Sequence, residues 1–145
     1  MNYQTHNLVQ GTPEWHEYRR TKRNASDASA MLNASRYKNR EALLREVVTG
    51  EKPEFSSYVL NLFERGHAAE HAARKIIESS VINEELFPIT ISANFDGVEL
   101  SASLDGITMD GKITFEHKLL NENLSNSFVD NEIPHEYHPQ IEQGL

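Results

Sequence analysis

The side chains most able to do chemistry stand late in the sequence, where an aspartate precedes a Glu-x-Lys triplet. Ten residues separate Asp105 from Glu116-His117-Lys118. Two carboxylates a few ångströms apart repel each other, and a hard divalent cation with oxygen ligands relieves that repulsion. On a strand, Lys118 shares a face with Glu116, where its ammonium could stabilise negative charge or position a water. The pattern suits phosphodiester hydrolysis, although many surface hairpins carry the same residue types without any function.

Strands must bring these side chains together, and three segments alternate between apolar and polar residues as half-buried strands do. The predicted strands span residues 86–93, 98–104 and 113–118, with turns at Asp96-Gly97 and Asp110-Gly111. The last two strands form a hairpin. If their apolar faces coincide, Asp105, Glu116 and Lys118 converge on one polar surface.

Helical spacing of apolar residues predicts the elements that flank this hairpin. The predicted helices are a short one starting after Asn24 or Ser26, a second over 40–49, a third over 57–79, and a last one from Ile133 or His135 to the chain end, whereas the residues up to Pro13 form an arm. Glu70 lies along or beside the apolar stripe of the third helix. A carboxylate there is costly unless a cation compensates it, so Glu70 pairs with Arg74, reaches solvent, or serves as a ligand.

The charges divide unevenly along the chain. The 145 residues carry 14 Lys and Arg against 22 Asp and Glu, a net charge of −8. Residues 1–75 hold 12 basic and 9 acidic residues, a balance of +3, and residues 76–145 hold 2 and 13, a balance of −11. This is either a chance gradient on a solvated surface, or a basic half that meets a polyanion and an acidic half that holds divalent cations.

Composition narrows the class of protein. With 38% hydrophobic and 25% charged residues, the chain is typical of one soluble globular domain. Because it has no cysteine, a disulfide framework, cysteine-ligated zinc and a cysteine nucleophile are excluded, which is compatible with a reducing cytoplasm. No apolar run reaches the roughly 18 residues that span a bilayer, so we expect no membrane association.

Five motifs in a fixed order make the chain recognisable. They are Trp15-His16-Glu17-Tyr18-Arg19 with Ala25-Ser26-Asp27, Gly66-x₃-Glu70, Ser103-Leu104-Asp105-Gly106, Glu116-His117-Lys118, and Tyr137-His138-Pro139-Gln140. The set resembles the W-x₃-R…AS[DE], G-x₃-E, S-x-D-G, E-x-K and Y-x₂-Q blocks of the phage lambda exonuclease/YqaJ-type viral recombinase family, within the PD-(D/E)XK nucleases. Each block alone is weak, but together they span residues 15–140.

The resemblance implies a fold. We expect an α/β domain with a mixed central β-sheet, a hairpin flanked by helices and a restriction-endonuclease-like core. One nuclease domain would cover residues 1–145. Family members continue with a further strand and helices, whereas this chain ends five residues after Gln140. The expectation is therefore a C-terminally truncated nuclease domain.

The resemblance also implies a metal site for Mg²⁺, with Mn²⁺ as a substitute. Asp105 and Glu116 would bind the ion through their carboxylates. Glu70 would contribute from the third helix, and the main-chain carbonyl of His117 would be a further ligand. Lys118 would orient or activate the attacking water.

Three other residues acquire roles by the same resemblance. Gln140 would lie at the edge of the metal site and help to place the water or the lysine. Arg19 would contact the 5′-phosphate of a DNA end, with Ser26 close by as a hydroxyl donor. A guanidinium and a hydroxyl suit a terminal phosphate. Trp15 is expected to be a core or lid anchor rather than a base-stacking platform.

By resemblance, the expected function is that of a metal-dependent 5′→3′ deoxyribonuclease. It would resect the 5′ strand of duplex DNA ends and leave 3′ overhangs for phage-type homologous recombination. The expected partners are double-stranded DNA ends, a single-strand annealing protein and further copies of the chain in a trimer, in the cytoplasm of a bacterial host. Two alternatives remain open: a structure-specific or nicking endonuclease with the same site, and a DNA-binding module that is catalytically inactive.

Overall fold

A mixed β-sheet lies at the centre of the molecule, of which the computed structural model describes residues 3–51 and 54–145. The strands are β1 (Gln4–His6), β2 (Arg23–Asn24), β3 (Phe87–Phe95), β4 (Val98–Ile107) and β5 (Thr114–Phe115). Their order is β1-β3-β4-β2, and β5 also pairs with β4. The pairs β1–β3, β3–β4 and β4–β5 are antiparallel, whereas β2 runs parallel to β4.

Helices flank this sheet. They are α1 (Pro13–Arg20), α2 (Ala25–Met31), α3 (Arg40–Thr49), α4 (Ser57–Ile77), α5 (Glu122–Asp130) and α6 (His138–Gly144). A π-helical turn at Glu78–Ile82 prolongs α4, and a 3₁₀ turn at His135–Tyr137 precedes α6. Within the described ranges, no helix has the length and apolar character needed to cross a bilayer. The predicted mixed α/β architecture is confirmed, and α3 has the predicted bounds.

Turn chemistry sets the register of the β3–β4 hairpin. Asp96 and Gly97 both adopt positive φ, at 49° and 82°, the backbone that a tight two-residue hairpin turn requires. The register pairs Ile91 with Ala102 and Thr90 with Ser103. Since side chains alternate between faces, the hairpin presents one apolar face and one face of hydroxyl groups.

Helices α2 and α6 pack on the apolar face. The core there consists of Ala25 from α2 with Ala102, Leu104 and Ile107 from β4, and Ile89 and Ile91 from β3 pack against it. Gly144 of α6 lies against Leu104, since a Cβ built on the glycine would be 3.5 Å from Leu104 Cδ2. This packing positions α2 and α6, which carry Ser26 and Gln140, relative to β4.

The opposite face of the hairpin is polar yet buried. Thr90 is 0% exposed, and Ser92 is also buried. His6 of β1 hydrogen-bonds Ser92 Oγ at 2.8 Å, and Trp15 of α1 donates to Ser103 Oγ at 2.9 Å. The expected N-terminal arm is therefore corrected, because Gln4–His6 form an edge strand and His6 contacts this face.

Helix α4 keeps its predicted position but not its predicted burial. All of its residues are described and none is buried; Leu62, Phe63 and Ile76 of the expected apolar stripe are 36%, 46% and 60% exposed. The Glu70 side chain, at 17% exposed, is more enclosed than these apolar neighbours. Helix α4 is joined to β4 by a hydrogen bond from Arg74 to the main-chain carbonyl of Asp105.

The last predicted strand is shorter than expected. Only Thr114–Phe115 pair with β4, whereas the alternation predicted a strand over 113–118. The His117 N–H donates to the Asp105 carboxylate at 2.8 Å instead of to a strand carbonyl, which ends the ladder. The side chain of Asp105 thereby decides where β5 stops.

Gly106, the glycine of the S-x-D-G motif, is packed too tightly for a side chain. A Cβ there would lie 2.9 Å from Leu86 Cβ and 3.4 Å from Phe115 Cβ. We expect Gly106→Ala to lower the free energy of unfolding by about 1–3 kcal/mol, as overpacking does, measured by urea denaturation. The matched control is Gly66→Ala in α4, where a Cβ meets no described neighbour within 4 Å and alanine favours the helix. An equal loss in both variants would contradict the packing argument.

Candidate active site

The pairing of β4 with β5 brings the two predicted carboxylates, Asp105 and Glu116, side by side. Gly106 pairs with Phe115, so the residues one step beyond this pair are Asp105 and Glu116. Asp105 Oδ2 accepts the His117 N–H at 2.8 Å. Burial is the main cause of the raised pKa of Glu116, and the charge of Asp105 adds to the shift, so the two acids interact. Asp105 and Glu116 therefore belong to one site.

Glu116 is held by the other two residues predicted for this part of the site. Its Oε1 accepts hydrogen bonds from Lys118 Nζ and, at 2.5 Å, from Gln140 Nε2. Burial raises the pKa of Glu116 above its usual range; Lys118 opposes that shift, while the charges of Asp105 and Glu70 add to it. The carboxylate is poorly solvated, and a further nearby cation would stabilise its ionised form.

Glu70 reaches the same acids from α4. Its pKa is raised, first by burial and then by the charge of Asp105, while Arg74, His67 and His117 oppose the shift. Arg74 Nη1 lies 3.6 Å from Glu70 Oε1 and donates to the main-chain carbonyl of Asp105 at 2.5 Å. Glu70 thus pairs with Arg74 and also lies close enough to Asp105 to feel its charge.

The three carboxylates supply suitable donors for a hard cation but not a finished coordination sphere. Among residues 3–51 and 54–145, no group of three or more His, Asp or Glu side chains is arranged to hold a metal ion. Carboxylate oxygens are the donors that Mg²⁺ and Mn²⁺ prefer. Glu70 and Glu116, whose pKa values are raised first by burial and further by neighbouring acids, would gain from such a cation. The donor set of Glu70, Asp105 and Glu116 fits a divalent cation in its chemistry, while Glu116 is turned toward Lys118 and Gln140.

Arg19 and Ser26 form a second polar group, on α1 and α2. Arg19 Nη2 donates to Ser26 Oγ at 2.6 Å, and its guanidinium carbon lies 4.4 Å from the centre of the Trp15 ring. Burial lowers the pKa of Arg19, and the charge of Asp27 opposes this shift. The group presents a partly desolvated guanidinium beside a hydroxyl, which is what an anion receptor requires.

The start of α2 leaves the Ser26 hydroxyl available for this contact. Asn24, not Ser26, is the N-cap, so Ser26 lies in the first turn of the helix. The Asn24 side chain donates to the Arg19 carbonyl at 3.0 Å and to Asp27 Oδ2 at 3.1 Å. Asn24 therefore ties the end of α1 to the start of α2 and keeps Arg19 and Ser26 together.

One cleft of about 50 Å³ joins the two groups. Arg19 and Ser26 line it, and so do Glu116 and Gln140. The remaining lining residues come from α2, β4, β5 and α6. The guanidinium–hydroxyl pair therefore shares this space with Glu116 and Gln140.

Two contacts of the site escaped the sequence-based prediction. Spacing identified Arg74 as a partner of Glu70, but its bond to the Asp105 carbonyl, 31 residues away, leaves no mark in the sequence. The bond from Trp15 to Ser103 spans 88 residues. Its one sequence signal is that both residues belong to motifs that occur together.

Acidic side chains beside a lysine, next to a receptor for an anion, are typical of proteins that cut phosphodiester bonds. The site therefore has the residue types that proteins of the nuclease class use. The family model of the YqaJ-like viral recombinase domain matches residues 14–145, and the chain belongs to this family of phage recombination nucleases. No curated protein matches the chain.

The raised pKa of Glu116 predicts how stability depends on pH. A carboxyl group whose pKa is higher in the folded state binds more protons when folded, so it lowers the free energy of unfolding as the pH rises through that window. In EDTA, Glu116→Gln should therefore raise the melting temperature at pH 7, and this gain should shrink as the pH falls toward 4.5. Differential scanning fluorimetry measures it, with the exposed Glu132→Gln as control. A difference independent of pH would contradict the electrostatic cause.

Proposed function

We propose that the chain is a Mg²⁺-dependent 5′→3′ exonuclease, which resects the 5′ strand of duplex DNA ends and leaves 3′ overhangs for phage-type recombination. The observation that carries the proposal is the shared cleft, because Arg19 and Ser26 line the same space as Glu116 and Gln140. An enzyme that starts at a DNA end needs a receptor for the terminal phosphate close to the groups that cut. An internal cutter has no use for such a receptor.

Arg19 and Ser26 would bind the 5′-phosphate. A hydrogen bond from a guanidinium to a phosphate is charge-assisted and stronger than a neutral one, and burial has already removed part of the water around Arg19. The Ser26 hydroxyl accepts from Arg19 and keeps its own proton for a phosphate oxygen. The receptor would hold the DNA end with its next phosphodiester toward Glu116.

Glu70, Asp105 and Glu116, with the main-chain carbonyl of His117, would hold the divalent cation. When bound, a cation of this kind supplies Lewis-acid stabilisation of the phosphate and lowers the pKa of a water. The carboxylates would orient toward it because they are poorly solvated and repel one another.

Lys118 and Gln140 would act on the reacting water and on Glu116. Both donate to Glu116 Oε1 in the free protein. Lys118, once released from Glu116, would place its ammonium on the developing negative charge or on the attacking water. Gln140 can donate an amide proton to Glu116 and still use its carbonyl oxygen to orient a water.

Family membership supports further parts of the proposal. The sheet and its helices would form a restriction-endonuclease-like core. The partners would be duplex DNA ends, a single-strand annealing protein and other copies of the chain, as a homo-oligomer such as a trimer. The place of action would be the cytoplasm of a bacterial host.

The decisive test compares linear 5′-phosphorylated duplex with covalently closed circular DNA, each incubated in Mg²⁺ or in EDTA. We expect the linear duplex to lose its 5′ strand in Mg²⁺ alone and the circle to stay intact, as followed on denaturing gels. Glu116→Gln should abolish the reaction, because it removes a carboxylate from the donor set. Cleavage of the circle would point to an endonuclease, and no cleavage of either DNA would favour a catalytically inactive binding module.

The end receptor can be tested by itself. Arg19→Ala should erase the preference for 5′-phosphorylated over 5′-hydroxyl ends, because a charged hydrogen bond of about 1.5–3 kcal/mol is roughly a tenfold or greater preference. Initial rates on the two duplexes measure it. The matched control is Arg20→Ala, an exposed neighbour that pairs with Glu17 at 3.0 Å. If Arg19→Ala keeps the preference, Arg19 does not read the end phosphate.

A further inference from the structure

A chain of hydroxyl groups crosses the buried polar face of the sheet and ends at Trp15. Thr90 Oγ1 lies 3.2 Å from Ser103 Oγ, which accepts the Trp15 Nε1–H at 2.9 Å. Thr90 is 0% exposed and stands directly opposite Ser103, on β3 and β4. Neither Thr90 nor Trp15 has a role in the chemistry described so far.

The two hydrogen bonds hold Ser103 Oγ between Thr90 and Trp15. An indole N–H can only donate, so Ser103 Oγ is the acceptor from Trp15. The Thr90 hydroxyl is cut off from water, and its hydrogen-bond partner among the described residues is Ser103 Oγ, with either hydroxyl able to donate. Loss of this bond would leave a buried polar group unpaired, which is destabilising. Ser103 Oγ, bonded on both sides, thereby fixes the edge of the indole ring.

Trp15 in turn supports Arg19. The two residues stand four apart on α1 and share a face, and the guanidinium carbon lies 4.4 Å from the ring centre, a cation–π contact. The backbone of Trp15 is also held, because its N–H donates to the N-cap oxygen Thr12 Oγ1 at 3.3 Å. With the ring fixed at both its edge and its backbone, Arg19 Nη2 meets Ser26 Oγ at 2.6 Å.

We propose that Thr90 and Ser103 are positioning residues for the end receptor. They hold Trp15 in the orientation that supports Arg19, and thereby direct the guanidinium toward Ser26 and the cleft. Thr90 is not among the residues that line the cleft, so it acts through Ser103 and Trp15. The link to DNA rests on the proposed function, whereas the link from Thr90 to Trp15 does not.

The experiment separates the hydroxyl of Thr90 from its volume. Thr90→Val keeps the size and the β-branching but removes the donor, whereas Thr90→Ser keeps the donor and loses a methyl group. The matched control is Ser92→Ala, two residues along β3, whose hydroxyl bonds His6 instead of Ser103. We expect Thr90→Val to differ from wild type, and Thr90→Ser and Ser92→Ala to match it.

The first readout needs no DNA. Trp15 is the only tryptophan of the sequence, so intrinsic fluorescence reports on this position alone. Thr90→Val should raise the acrylamide quenching constant by about twofold, because an indole that is held less firmly reaches more exposed rotamers. Quenching equal to wild type in Thr90→Val, or an equal rise in Thr90→Ser, would overturn the positioning role.

The second readout is the ratio of dissociation constants for 5′-hydroxyl and 5′-phosphorylated duplexes, measured by fluorescence anisotropy in EDTA. We expect it to fall about fivefold in Thr90→Val, and equally in Trp15→Phe, which keeps a ring but no N–H. Trp15→Phe carries this test if Thr90→Val does not fold. Increased quenching with an unchanged ratio would overturn the link to Arg19. A ratio of one in the wild-type protein would contradict the proposed function. The quenching measurement would still test whether Thr90 positions Trp15, because it needs no DNA.

Discussion

Repulsion between partly buried carboxylates is the constraint around which the site is built. Glu70, Asp105 and Glu116 come from a helix, a strand and the segment that follows a strand. Burial is the main cause of the raised pKa values of Glu70 and Glu116, and the charges of the neighbouring acids add to it. Such acids are tolerated only when cations compensate them. Arg74 contacts Glu70 and the Asp105 carbonyl, and Lys118 contacts Glu116. These polar contacts, rather than a buried apolar stripe, tie α4 to the hairpin, which explains how a helix without a buried residue can still place a carboxylate accurately.

The two faces of the β3–β4 hairpin position the helices that carry the other site residues. Its apolar face packs against α2 and α6, and its hydroxyl face receives α1 through Trp15 and Ser103. Arg19, Ser26 and Gln140 therefore stand on three helices that take their positions from the same two strands. Because β4 also carries Asp105, any change in its register would move Asp105 together with the helices that carry Arg19, Ser26 and Gln140.

The net charge of the chain does not predict the electrostatics around Arg19, because each charge acts mainly on its near neighbours. Arg20, the last residue of α1, and Lys22, just after it, pair with Glu17 and Glu99, so these two positive charges are compensated within the molecule. Exposed charges more than about 10 Å apart are screened in ordinary salt. The partly buried guanidinium of Arg19 therefore acts on its immediate surroundings, although the net charge of the chain is −8.

The sequence by itself determined the features that depend on neighbouring residues, such as where a helix begins and ends. Helix α3 runs from the N-cap Asn39, whose side chain accepts the Ala42 N–H, to Gly50, whose φ of 71° suits a residue without a side chain. The residue types and order of the site motifs were also readable from the sequence. Only the tertiary structure decided that β5 stops where His117 donates to Asp105, that no residue of α4 is fully buried, and that hydroxyl groups anchor the tryptophan beside Arg19. Those outcomes depend on hydrogen bonds between residues far apart in the chain, whose geometry is set by sheet register and packing, and no periodicity records them.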